Sequence, residues 1–181
     1  IISKLAKSTD EVYDLAEEVF NTVLAPNGFN VEHLCSIGSD QHSTFTGARW
    51  RAICKKCKLA PHYANTGNSA LDNPLAEKAI RDLSDRVRCL TLGGSVPGWT
   101  WGRAIKTATY ISNRTPKLRL GWKSPYEVVT GQKPNLSELR TFGSRCFYNL
   151  LPSSLPRGHK TKPRARGAAY FGPPTLPQTK H

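Results

Sequence analysis

Methionine is absent from this chain. No apolar run approaches the roughly 20 residues of a membrane-spanning helix, which excludes a helical anchor within it. A chain that opens "IISK" with no methionine reads as an internal piece of a longer protein. Cysteine is sparse and odd in number, at five, with no disulfide framework and no secretory signal before it. That usage favours a reducing, intracellular setting. There is no glycine-rich phosphate loop and no G-x-S-x-G elbow, so neither a nucleotide-binding P-loop nor an esterase nucleophile is expected. His33, His42, His62, His159 and His181 form no metal-ligand spacing.

Acidic residues are the scarcest class with a pattern. There are 13 against 26 lysines and arginines, a net charge of +13. Seven of the 13 (Asp10, Glu11, Asp14, Glu17, Glu18, Glu32, Asp40) fall in the first 40 residues. None follows Glu138, whereas Arg140, Arg145, Arg157, Lys160, Lys162, Arg164, Arg166 and Lys180 do. An acid-free basic half implies a polyanionic partner. Nucleic acid fits, and on charge alone so do membrane surfaces, acidic proteins and a merely solvated tail.

The 181 residues suffice for one medium domain or one and a half small ones. "STDEVYDLAEEVFNTVL" predicts an amphipathic helix, with Ser8 and Glu11 as a capping box and Val12, Leu15, Val19 and Val23 on the apolar face. "VEHLCSI" predicts a strand with Asp40 just past its end. "GARWRAICKKCK" predicts a helix with Trp50, Ile53 and Cys57 on one side. "LAPHYA" suits a short strand.

Asn73 and Pro74 suit the cap and first position of a further helix. Its predicted core stripe is Leu75, Ala79, Leu83, Val87 and Leu90. Glu77 lies about 200° from Leu75 and should face away from the core, with Arg81 and Arg88 on the same side. "VPGWTWGRAIKTATYISNRTP" predicts a helix ending at Arg114. A short helix, "SPYEVVTG", follows, then two strands, "CFYNLL" and "GAAYFG", around a basic loop.

Two constellations bear on chemistry. Cys54 and Cys57 have CxxC spacing, but no second pair completes a zinc site, and buried helical cysteines are the better reading. Asp40 ends a strand and Glu77 opens a helix. Two such carboxylates can hold Mg²⁺ or Mn²⁺, which prefer oxygen ligands, and paired metals serve phosphoryl transfer. The plain alternative is a turn aspartate and a Glu77–Arg81 helix pair.

The surrounding strings carry a resemblance. "SD" after an apolar strand and "NPLAEK" at a helix start, with 36 residues between Asp40 and Glu77, resemble the catalytic core of retroviral-type integrases, more narrowly of copia-type retrotransposons. Ser39, Asp40 and Phe45 match the family's Ser-Asp-Asn-Gly-Gly-Glu-Phe string. Asn73, Ala76, Glu77 and, conservatively, Lys78 match Asn-Gly-Val-Ala-Glu-Arg. "WGRAIKTATYISNRTP", "SPYEVVTGQKPNLSELRTFGSRCFY" and "KTKPRARGAAYFG" resemble three later family segments, in the family's order. "QHST" replaces the Asn-Gly-Gly-Glu turn, and Pro74 replaces a glycine.

The resemblance implies an α/β, partial RNase H-like fold, a mixed sheet flanked by helices, followed by a helical linker and a small β module. The implied organisation is 1–92 catalytic core lacking its first strands, 93–140 core-terminal helix and linker, 141–172 small basic β module and 173–181 flexible tail. It also implies a Mg²⁺- or Mn²⁺-dependent polynucleotidyl transferase that trims DNA 3′ ends and joins them to target DNA. Asp40 and Glu77 would be the second and third acids of its triad. The first acid belongs upstream of this chain, so the chain alone is expected to be inactive. Lys78, Arg81, Arg88, Arg157, Lys160, Lys162, Arg164 and Arg166 would contact DNA, Arg81 and Arg88 by periodicity rather than by motif. The family acts as multimers on DNA ends, in the nucleus and in cytoplasmic particles. The alternative is a catalytically dead or co-opted nucleic-acid-binding remnant with the same fold.

Overall fold

Ser36–Ser39 forms strand β1, and Ala60–Tyr63 forms β2. They pair in parallel, with Ser36 opposite Ala60 and Ser39 opposite Tyr63. A parallel pair needs a crossover. Here two helices supply it: α2, Ser43–Thr46, and α3, Ala48–Lys56. Before β1 comes α1, Thr9–Val19, continued by a wider π turn, Phe20–Leu24. These elements belong to a computed structural model that describes residues 2, 4, 6–24, 36–63, 74–151 and 164–173. The cap proposed at Asn73, the start of "VEHLCSI", the basic loop and the tail from residue 174 lie outside the described residues.

The chain forms two compact units. One comprises Ile2–Asp82 with Tyr126–Gln132, the other Leu83–Pro125 with Lys133–His181. The boundary therefore falls inside α4, Pro74–Gly93, and α6, Pro125–Thr130.

In the first unit the core is Tyr13, Trp50, Ile53, Cys54 and Leu59, flanked by Ala16, Phe20, Ile37, Phe45 and Cys57. Trp50 meets Phe45 edge to face at 5.1 Å between ring centres. The Tyr13 hydroxyl donates to the Thr44 carbonyl at 2.7 Å, which ties α1 to α2. Arg49 clamps α3 to α1, donating to Asp10 at 2.6 Å and Asp14 at 2.8 Å while lying over the Tyr13 ring. Ser8 caps α1 as predicted, accepting from the Glu11 amide at 3.3 Å. Glu11 in turn accepts from Lys7 rather than from Ser8. The predicted apolar face of α1 is half-buried at Val12, Leu15 and Val19. It lines a cavity of about 470 Å³ together with Ile37 and Trp50.

One expectation for α4 fails. Leu75 is 74% exposed and takes no part in the core. The covered stripe begins instead at Ala76 and continues through Ala79, Leu83, Val87 and Leu90. At 100° per residue, Leu75 and Glu77 lie on opposite flanks of Ala76. Glu77 is accordingly half-buried at the edge of the stripe, not on the outer face.

The second unit is built around α5, Trp101–Arg114. Its buried residues are small or carry hydroxyls: Thr100, Ala104, Thr107, Ala108, Thr109, Ser112 and Ser124, with Phe142 the large exception. Phe142 and Trp99 both pack on Phe171. The Thr107 hydroxyl donates to Arg103 O within the helix at 3.0 Å and approaches Phe171 O at 3.4 Å. α5 ends at Thr115, which is extended, as the residue before Pro116 prefers. β3, Arg145–Asn149, pairs antiparallel with β4, Ala165–Ala169. Gly143 N to Tyr170 O and Leu150 N to Arg164 O, both at 2.8 Å, extend the ladder at its two ends.

Candidate metal and nucleic-acid site

Asp40 follows β1 directly and is exposed. Its carboxylate accepts a long bond from the His42 amide, 3.4 Å. The residues after it form the helical turn α2, which sequence reading had not foreseen. His42 caps that turn: its Nδ1 accepts from the Thr44 amide at 3.3 Å and lies 2.9 Å from the Thr44 hydroxyl. Histidine is an unusual cap, but an unprotonated Nδ1 is an acceptor placed much like an asparagine oxygen. The "QHST" string is thus a capped helical turn rather than a glycine turn.

Glu77 sits in the first turn of α4, where the helix dipole favours a negative charge. Asp40 and Glu77 belong to the same compact unit. No hydrogen bond or ion pair among the described residues links them or engages Glu77. The expected alternative pairing of Glu77 with Arg81 does not form. Lys78 instead pairs with Asp82 at 3.8 Å and Arg88 with Asp85 at 2.7 Å. Such exposed pairs are weak and leave the cations available to a ligand. Among the described residues no group of three metal-ligating side chains occurs.

Of the predicted DNA contacts, Lys78, Arg81 and Arg88 are exposed on α4. Arg164 and Arg166 are exposed at and within β4. Arg157, Lys160 and Lys162 lie outside the described residues. Cys54 is buried on α3 and Cys57 half-buried at its end, both free. Burial pushes both thiols up, with Cys57 adding to the rise at Cys54 and Glu17 to that at Cys57. These are inert packing cysteines, as the spacing suggested. Sequence reading counted Arg145 only as charge. It lies over the Phe147 ring, 5.2 Å from its centre. The signal that could have found it was an arginine two residues from an aromatic on a strand, since such residues share a face.

The fold matches a solved one. The crystal structure of the catalytic core domain of BIV integrase aligns over 71% of this chain and 74% of that one, with a TM-score of 0.50 and 18% identity. The fold class is therefore that of an integrase catalytic core, RNase H-like. The sequence relatives are more particular. A retrovirus-related Pol polyprotein from transposon TNT 1-94 of Nicotiana tabacum is 25% identical over 158 residues, 87% of this chain. Those from transposons RE2 and RE1 of Arabidopsis thaliana are 30% and 29% identical over 111 residues, 61% of this chain. The homologues are thus copia-type retrotransposon Pol polyproteins. The chain spans only 11% of the TNT 1-94 polyprotein and 7% of each of the other two. No protein-family model matches it. Among the described residues, no helix is long and apolar enough to cross a membrane.

Proposed function

We propose that the chain is a segment of a copia-type integrase whose longer protein joins DNA by metal-dependent polynucleotidyl transfer. The observation that carries this is the placement of Asp40 at a strand end and Glu77 in a helix's first turn within one unit of an integrase-type fold. The donor chemistry suits the metal. Both groups are hard carboxylate oxygens, Asp40 has one weak contact, and Glu77 has no ion pair among the described residues. Asp40 and Glu77 would hold Mg²⁺ or Mn²⁺, completed by an acid from elsewhere in the longer protein. When bound, the metal supplies activation of the attacking oxygen and neutralisation of the leaving one. Lys78 and Arg81, on the same stretch of α4 as Glu77, would hold the DNA backbone beside the carboxylates. In the other unit, Arg88, Arg164 and Arg166 would contact phosphates on their own account. Such a protein works on element ends and target DNA as a multimer, inside the cell, in the nucleus and in the particle that carries the element.

Two measurements test this. In an integrase-length protein, Asp40→Asn and Glu77→Gln are each expected to abolish strand joining in Mn²⁺ while leaving circular dichroism unchanged. Joining at the unsubstituted rate in either variant would remove that carboxylate from the site. The chain as it stands is expected to bind duplex DNA through phosphates, with affinity falling roughly 10³-fold from about 50 to 200 mM salt. Affinity that is flat across that range would sink the phosphate contacts.

The second reading is a remnant that binds DNA without joining it. The observation favouring it is the His42-capped turn where the resemblance expects a glycine turn. In that case the salt-sensitive binding persists, and the integrase-length protein joins no DNA even unsubstituted.

A further inference from the structure

The β3–β4 ribbon has two open faces. On one, β3 presents Arg145, Phe147 and Asn149. The residues opposite them on β4 are Ala169, Gly167 and Ala165. None of these can cover an aromatic ring, and Phe147 is 65% exposed. A Cβ added at Gly167 would meet Phe147 Cε1 at 3.8 Å, so the ring lies across the bare backbone of β4. Arg145 holds it from one side. On the other face Tyr148 is 50% exposed, directly opposite Arg166. The ribbon thus alternates exposed aromatic rings with arginines.

Exposed rings side by side on one ribbon offer apolar surface that a partner can cover. The charge around it selects the occupant. Arg145, Arg164 and Arg166 lie on or beside the ribbon, and the chain carries no acid after Glu138. A partner that is both planar and anionic satisfies the rings and the arginines together. In duplex DNA the base faces are stacked on one another and closed to a side chain, whereas an unpaired strand offers them freely.

We propose that the β3–β4 ribbon is a stacking platform for unpaired DNA, with a base on Phe147 and its phosphate on Arg145, which shares that face. This deepens, and rests on, the nucleic-acid reading above. Arg145 both aligns the ring and meets the strand.

The test measures fluorescence anisotropy of the whole chain with a labelled oligothymidine and with a blunt duplex, at fixed salt. Phe147→Ala is expected to weaken oligothymidine binding about 10-fold or more and to leave blunt-duplex binding within about twofold, since stacking acts only on unpaired bases. Gly167→Val, which covers the ring without removing charge, should reproduce that selective loss. Phe147→Trp should restore wild-type binding. Arg166→Ala should weaken both DNAs and flatten the salt dependence of both. Unchanged oligothymidine binding in Phe147→Ala and Gly167→Val, or an equal loss on the blunt duplex, overturns the platform and leaves the face to a protein or lipid partner. If the unsubstituted chain binds neither DNA, the nucleic-acid reading fails together with the platform. If it binds both irrespective of Phe147, only the platform fails.

Discussion

Trp50→Ala is expected to destabilise the first unit strongly. Trp50 is 4% exposed and sits among Tyr13, Ile53, Cys54 and Leu59, the buried apolar set of that unit among the described residues. Truncating a buried tryptophan costs about 3–5 kcal/mol, against a net stability of only about 5–15 kcal/mol for a typical domain. The loss also removes the edge-to-face contact with Phe45. The void it leaves adjoins the cavity that Trp50 lines together with Val12, Leu15 and Val19 of α1. Near-ultraviolet circular dichroism and urea titration should show the tertiary signal lost at denaturant levels the parent tolerates.

Trp50→Phe is the control. The indole Nε1 is buried without a hydrogen-bond partner among the described residues. Phenylalanine removes that unsatisfied donor while keeping most of the apolar surface. Its cost should stay within about 1 kcal/mol, because an orphaned buried donor carries its own desolvation penalty. Equal destabilisation by alanine and phenylalanine would show that the ring's packing is not what matters.

The second large effect lies in the other unit. Gly143→Ala is expected to lower the thermal midpoint by well over 10 °C. Gly143 has φ of +81°, and a Cβ there would sit 2.6 Å from the Gly94 carbonyl oxygen and 2.7 Å from Val96 Cγ1. Backbone cannot move aside as a long side chain can. The strain and the overlap together should cost roughly 3 kcal/mol or more, and about 1 kcal/mol moves the midpoint of a domain of this size by ~4–8 °C. The reciprocal variant, Gly94→Ala, meets Phe142 O at 2.6 Å and should behave alike. Gly167→Ala, which meets nothing closer than 3.8 Å, should leave the midpoint within a few degrees. A differential scanning calorimetry trace in which Gly143→Ala melts with the parent would refute the close approach of the two glycines.

Local pattern made most elements legible. The Ser8 cap, the periodicity of α3 and α5, the proline after α5 and the β-rich strings near the end all speak within a few residues of themselves. What stayed hidden was tertiary. Leu75 has the right period for the core of α4, yet the covered stripe starts one residue later, at Ala76, and only packing decides how far along the helix the cover reaches. α2 was missed because histidine rarely caps a helix. The contact of Gly94 with Phe142 and Gly143 joins residues far apart in sequence, which no periodicity encodes.

The candidate site divides in the same way. Strand-end and first-turn positions for Asp40 and Glu77 follow from local sequence, while the joint role proposed for them comes only from resemblance to a family. The openness of the Phe147 face was illegible in "CFYNLL" taken alone. It depends on which residues stand opposite, and those come from a string beyond the basic loop.

The make-up of the second unit has a thermal consequence. A core of threonine, serine and alanine removes little hydrocarbon from water for each residue it orders. Exposing apolar surface is what raises the heat capacity on unfolding, whereas exposing polar surface lowers it. This unit should therefore have a small heat-capacity increment and a broad, shallow stability curve. Its cohesion comes from hydroxyl–carbonyl bonds such as that of Thr107 and from backbones in close contact, and these fade less on cooling than a leucine-rich core does. The ribbon would then keep its shape over a wide span of temperature on a support that is thin in apolar material.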